Sequence, residues 1–392
     1  MRGTADVVVI GGGVLGAATA FELSERGHDV VLLERALPGR QGSGTTAGNL
    51  HIQAIHPERP GQDVPVDTAR LLPLQREASL LWDELEARLD ADLEVTRSGG
   101  FTVAETDAQE RALREKHRWE RAAGVPTEVM DGDSVRAASP SIGPSVRAAT
   151  YCAWDGYANS LLAIPAYLRR ASGLGARVYA HAPVRALDRR PEGTWLVTSD
   201  AGEFEAPFVV NAAGPWIQEV MALAGARIAM APIAIQMHET VRAGRLLEVL
   251  VQHVGRGLSV KQVRTGNVVI GGGWPAGALR LGDYTPIDER SADGNMSDAR
   301  RIVPAVSALR LSRAWAGPLA ATPDEMPVVG AVPGHDGLFV MGGTYAFTFS
   351  PLWARTIAEL IGRAAPAIEV DDLGPGRLLS PSTVGHRQEA VI

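Results

Sequence analysis

The chain of 392 residues has one cysteine, Cys152. No disulfide can form within it, and no CxxC pair is present for redox exchange or metal binding. Cys152 sits in the apolar stretch "ATYCAW" and reads as a buried structural thiol, consistent with a reducing compartment. No metal-ligand set is assigned. Aromatic residues make up 5% and the net charge is −7. Such a balance argues against a nucleic-acid scaffold, which needs clustered Lys and Arg. No uninterrupted membrane-length run exists. The apolar stretch 220–237 is broken by Gly225, Arg227 and Pro232, and reads as two short buried elements. The first strand starts near Asp6, with no room for a signal peptide, so the expected location is cytoplasmic.

What is abundant is glycine, at 43 residues. It favours tight turns and close backbone approach to a ligand. Residues 7–16 read "VVVIGGGVLG". Val7 to Ile10 has the β-branched character of a buried parallel strand. Gly11, Gly13 and Gly16 form GxGxxG: a tight turn, a gap for a pyrophosphate, and close helix–strand packing. A helix over about 14–26 begins with Val14 and Leu15, whose amides point at the phosphates. A second strand, "HDVVLLE", ends at Glu34, placed to accept hydrogen bonds from a ribose, with Arg35 beside it. Strand, turn, helix and acid together make the motif specific for a dinucleotide. They do not separate NAD from FAD.

The separation comes from downstream. "GRQGSGTTAGNLHIQ", residues 39–53, supplies Ser43, Thr45, Thr46, Ala47 and Gly48 as a second loop over a diphosphate. An extended FAD crossing both loops would bring its ring near Asn49, Leu50 and His51. Residues 173–184 read as a helix end, a strand and a turn at Val184. Two further strands lead into "NAAGPW", where Ala213, Gly214 and Trp216 turn sharply against the nucleotide. "LFVMGGTYAFTFSPLWARTIAELI" brings Gly342, Gly343, Thr344, Phe347 and Thr348 before a helix with Ser350 as N-cap and Pro351 at its first position. That helix would aim its positive end at the loop, where reduced flavin carries negative charge.

Together these segments resemble the D-amino-acid-oxidase superfamily of FAD-dependent oxidoreductases, which includes glycine oxidase and sarcosine oxidase. Residues 250–277 are similar, more narrowly, to flavin subunits of opine oxidases and of hydroxyproline or proline dehydrogenases. The resemblance implies an α/β fold: a Rossmann-like FAD-binding domain plus an α+β substrate domain with a mixed or antiparallel sheet. It implies a discontinuous FAD domain over 1–80, 145–222 and 315–375, and a substrate domain over 81–144 and 223–314. A tail, 376–392, follows. Helical periodicity over 72–91 and 106–123 fits, as do two strands over 258–273 joined at "RTGN". "VIGGGW", 269–274, lacks a following helix pattern and reads as a sheet end rather than a second nucleotide site.

The implied reaction is hydride removal from the carbon beside an amine nitrogen, with the flavin as acceptor and hydrolysis of the imine. Non-covalent FAD and a small amine or amino-acid substrate are expected. Lys261, on the strand "LSVKQV", is a candidate for binding a substrate carboxylate or sitting near the flavin, against a lysine on an exposed strand face. His51, His238 and Tyr345 are further pocket candidates, each set against a merely structural role. Relatives such as glycine oxidase grip the carboxylate with an Arg before "TxDxxP". Here Pro318 or Leu319 stands there, and "TYAFTFSP" is bulkier than the usual glycine-rich run. Three alternatives stay open: a flavin subunit that needs partner chains to pass electrons on, an NAD-dependent dehydrogenase, and a non-redox nucleotide-binding module.

Overall fold

Val7–Ile10 is buried on both faces, as its unbroken apolar run requires. It forms the centre of a six-stranded sheet in the order Val328–Ala331, Leu338–Gly342, Phe208–Asn211, Val7–Ile10, Val30–Leu33 and Arg177–Tyr179. All neighbours in it are parallel except the first pair. The computed structural model describes residues 2–55, 67–280 and 285–379. Helices Val14–Glu25, Ser160–Gly173 and Ser350–Ile361 pack on one face of the sheet through Phe21, Ala163, Tyr167, Trp353 and Ile357. The other face meets a four-stranded sheet through Val8, Ile10, Trp195, Val197 and Phe204.

A separate eight-stranded sheet runs in the order Leu311–Ala321, Ala231–Thr240, Val268–Gly271, Arg256–Gln262, Leu250–His253, Gly100–Ala104, Ala148–Cys152 and Thr127–Asp131. Only Leu250–His253 and Gly100–Ala104 pair in parallel. Val251, Val260, Val268 and Ile270 bury one face of it against Met296, Ala299 and Ile302 of helix Glu289–Ile302. Its opposite face meets the segment 42–53.

The Rossmann-like sheet and the mixed second sheet agree with the expected fold class. The expected edges at 145 and 315 cut through the large sheet. Ala148–Cys152 pairs with Gly100–Ala104, and Leu311–Ala321 pairs along Ala231–Thr240. Strand pairing, which a linear pattern does not display, sets where these segments belong. The apolar stretch 220–237 divides into the end of helix Ile217–Leu223 and the start of strand Ala231–Thr240. Among the described residues no helix is long and apolar enough to cross a membrane. "VIGGGW" is a sheet end, with Gly272 and Gly273 at positive φ against Gly257. The last helix starts one residue earlier than expected. Its N-cap is Phe349, and the Ser350 hydroxyl donates back to the Phe347 carbonyl instead of capping. Cys152 is buried, and burial raises its thiol to about 12, which leaves it protonated and inert. The 376–392 tail lies outside the described residues beyond Leu379.

Candidate functional site

In the glycine turn, two of the three motif positions admit no side chain. A Cβ on Gly16 would lie 1.9 Å from the Gly11 carbonyl oxygen, and one on Gly11 would lie 2.6 Å from that of Ala212, with φ +108 besides. Both glycines are needed by the protein itself. Gly13 differs: its Cβ would meet only the Ser43 hydroxyl, at 3.1 Å. The space above Gly13 is left open by the protein. Ser43 Oγ accepts from the Val14 amide at 3.0 Å, which sets the second loop on the helix N-terminus, next to Leu15. Glu34 accepts from the Gly12 amide at 2.7 Å and the Ala36 amide at 2.8 Å. Each carboxylate oxygen therefore holds one bond and keeps capacity for another. Arg35 stacks its guanidinium 3.9 Å over the Trp216 ring, beyond the turn at Ala213 and Gly214. Val184 follows Ala182, whose amide bonds to the Glu34 carbonyl.

The second loop is wedged between the two sheets. A Cβ on Gly317 would lie 1.8 Å from Thr45 Oγ1, and one on Gly48 would lie 2.1 Å from the Ala158 carbonyl. Trp315 Nε1 donates to the Thr45 carbonyl at 2.8 Å, and Thr46 Oγ1 accepts from the Gly48 amide. Beyond it the chain passes the closing loop: Thr348 Oγ1 donates to the Asn49 carbonyl and accepts from the His51 amide. Trp82 fixes that loop from below, its ring tilted against Phe347 with centres 5.0 Å apart and its Nε1 donating to the Thr348 carbonyl. Gly343, at φ +99, and Thr344, bonded to the Glu325 carbonyl, shape its start. Gly342 packs on Ile217.

Lys261 is 2% exposed and, among the described residues, carries no carboxylate partner. Its Nζ donates to the Ala47 carbonyl and to Asn49 Oδ1, the latter at 2.6 Å, and lies 4.7 Å from the centre of the Tyr157 ring. Asn49 Nδ2 donates in turn to Ser259 Oγ at 2.7 Å. Burial pushes the Lys261 ammonium down to about 7. The sequence contains only two lysines, and Lys116 is also buried. Every exposed basic side chain of the described residues is thus an arginine or histidine. Burial, then the nearby Lys261 charge, holds His51 down to about 4, so it is neutral at pH 7. Its ring meets Tyr345 edge-on at 6.0 Å. Tyr345 has φ +58, and burial pushes its hydroxyl above the usual range.

Lys261, His51 and Tyr345 therefore border one region, together with the proposed ring-binding segment. His238 does not. Its strand neighbours place it on the opposite face of the large sheet, with its ring nitrogens 3.2 Å from the side-chain amides of Gln236 and Asn295. Side chains alternate along a strand, so His238 and Met237 part to opposite faces, and Met237 is the one that shares a face with Gly271 and Trp315.

Three features escaped the sequence reading. One is Gln252, on the same face as Ser259. Another is a buried support under 52–54. Asp155 accepts from the Ile52 and Gln53 amides, and Glu120 from the Ala54 amide. The third is the Lys116 pair, 2.5 Å from Glu120 with both side chains fully buried. Their only local signal was helical spacing between Lys116 and Glu120.

The family model described as DAO, FAD dependent oxidoreductase, matches residues 6–360. A glycine oxidase of Geobacillus kaustophilus is 26% identical over 373 residues, covering 93% of this chain and 95% of that protein. Hydrogen cyanide synthase subunit HcnC of Pseudomonas aeruginosa is 26% identical over 380 residues, covering 86% and 87%. The crystal structure of L-proline dehydrogenase from P. horikoshii superposes with a TM-score of 0.85 at 23% identity, covering 96% and 98%. The last likeness is one of fold.

Proposed function

The chain belongs to the DAO family of FAD-dependent oxidoreductases, and from that premise we propose that it oxidises a C–N bond of an amino acid or secondary amine. The residues fit the cofactor. The open space over Gly13, the spare acceptor capacity of Glu34 and the helix N-terminus capped by Gly13 suit a dinucleotide diphosphate and ribose. In this reading Gly11, Gly13, Val14, Leu15, Gly16, Glu34, Arg35 and Trp216 hold the adenosine half. Segments 43–50 and 342–348 hold the rest. When bound, FAD supplies the acceptor for the hydride.

The observation that carries the proposal is the convergence of Lys261, His51 and Tyr345 where the second glycine loop, the closing loop and the large sheet meet. An amine gives up a hydride only when its nitrogen is unprotonated. Lys261, held near neutrality by burial, takes the ammonium proton in its free-amine form. His51 stays neutral and can accept a hydrogen bond from the substrate nitrogen. Tyr345 and Trp315 exclude water from the reacting carbon.

The test is anaerobic bleaching of the bound flavin band near ~450 nm against D- and L-amino acids, sarcosine, proline derivatives and opines. Bleaching by at least one member is expected; a flavin that none of them reduces overturns the proposal. The likeness to HcnC, a subunit of hydrogen cyanide synthase, favours a second reading in which partner chains receive the electrons. Fast reduction by substrate with slow reoxidation by oxygen would support it.

A further inference from the structure

Alternate side chains after the second glycine loop touch successive strands of the large sheet. Asn49 Nδ2 donates to Ser259 Oγ at 2.7 Å. Gln53 Oε1 accepts from Thr150 Oγ1 at 2.8 Å and from Thr102 Oγ1 at 3.3 Å. Ser259 pairs with Gln252, and Gln252 pairs with Thr102. The residue midway between Asn49 and Gln53 is His51. The residue midway between Ser259 and Thr102 is Gln252. These two side chains consequently meet, and Gln252 is felt at the imidazole as a hydrogen-bonding neighbour.

Among the described residues, each of them still ends in a buried polar atom with no hydrogen-bond partner: Nε2 of Gln252 and Nδ1 of His51. Gln252 is 6% exposed, so solvent does not satisfy its amide. A buried N–H group without an acceptor is costly, and its persistence points to a ligand. The ligand's charge follows from the surroundings. The charge felt at His51 is the positive one on Lys261. Along the same sheet face, Met237, Trp315, Gly317 and Leu319 carry no charge, and Arg313 is already closed onto Glu239. An amide donor in a positive field, with the Arg313 guanidinium on that face already paired, suits a carboxylate.

We propose that Gln252 is a specificity-determining residue whose amide Nε2–H donates to the carboxylate of an amino-acid substrate seated beside His51. The proposal deepens the C–N oxidation reading and rests on it for the identity of the ligand as substrate. Oxidation itself does not involve Gln252. Its part is to select amino acids over simple amines.

The experiment uses the flavin-loaded protein and two measurements. The first titrates the visible flavin band with acetate and benzoate, which do not react. The second compares anaerobic reduction by the best amino acid with reduction by the amine that lacks its carboxylate. Gln252→Leu is expected to weaken carboxylate binding and raise the half-saturating amino-acid concentration about ten- to hundredfold, the range for losing a donor to a charged acceptor. The loss for the decarboxylated amine should be several-fold smaller. Gln252→Asn, with the same donor on a shorter arm, should fall between, and the melting temperature and flavin content of both variants check that they fold. Equal loss for both substrates, or no loss, overturns the proposal. A wild-type flavin that no amine reduces but that binds benzoate through Gln252 would sink the oxidation reading and leave the carboxylate seat. Reduction that proceeds identically in Gln252→Leu would do the reverse.

Discussion

At Lys261 a buried amine is held by two neutral oxygens instead of a carboxylate. Removing it with Lys261→Met should slow anaerobic flavin reduction or weaken substrate binding, and should loosen the Asn49 contact. Unchanged rate and affinity would assign it to structure alone. Because the only two lysines are buried, an amine-reactive reagent on the native protein should modify neither lysine, read by peptide mass. His51 gives a pH prediction. Its folded value, about 4, lies below the ordinary 6.5, so between those values the unfolded chain binds more protons. Stability is then lost as the pH falls from 6.5 towards 4. His51→Asn should show a smaller drop in melting temperature across that window than the wild type.

Elements separate what the fold needs from what the ligand needs. In the first turn, Gly16→Ala drives a methyl into the Gly11 carbonyl, and both melting temperature and flavin content should fall. Gly13→Asp fills a space that the protein leaves open and brings negative charge to the proposed phosphate site. It should cost flavin retention with little change in the melting temperature of the flavin-free protein. If the Gly13 variant keeps its flavin, the site is misassigned. Under the segment 52–54, Lys116→Met strands Glu120 as a buried charge, with an expected loss of about 3–5 kcal/mol in chemical denaturation. Lys116→Met combined with Glu120→Gln should recover part of it. A double variant no better than the single would show that the pair is not the unit of stability.

For the whole molecule, the second glycine loop and the segment after it join the two sheets. Gly317 sits against Thr45, and Trp315 bonds to the Thr45 carbonyl, so the strand Leu311–Ala321 presses on the second glycine loop. Asn49, His51 and Gln53 extend the same junction across the neighbouring strands. Gly317→Leu should push the sheet off the loop: circular dichroism should stay near wild type while flavin retention and substrate reduction fall together. Retained flavin in that variant would mean that the two sheets act independently in holding it.

The first nucleotide motif was legible because its parts are contiguous: strand, turn, helix and Glu34 follow one another, and glycine is the only residue that the Gly11 and Gly16 positions admit. The family, the two-sheet fold and the buried thiol of Cys152 were legible on the same local grounds. The faces of the large sheet were not. His238 and Met237 are neighbours in sequence, and which of them meets the glycine loop depends on a register set against strands about 30 and 80 residues away. Gln252 gave no local sign, since its importance arises from Ser259 on one side, Thr102 on the other and His51 above. Local chemistry and spacing thus determined the nucleotide turn, while only the long-range pairing of strands decided which polar side chains share the pocket.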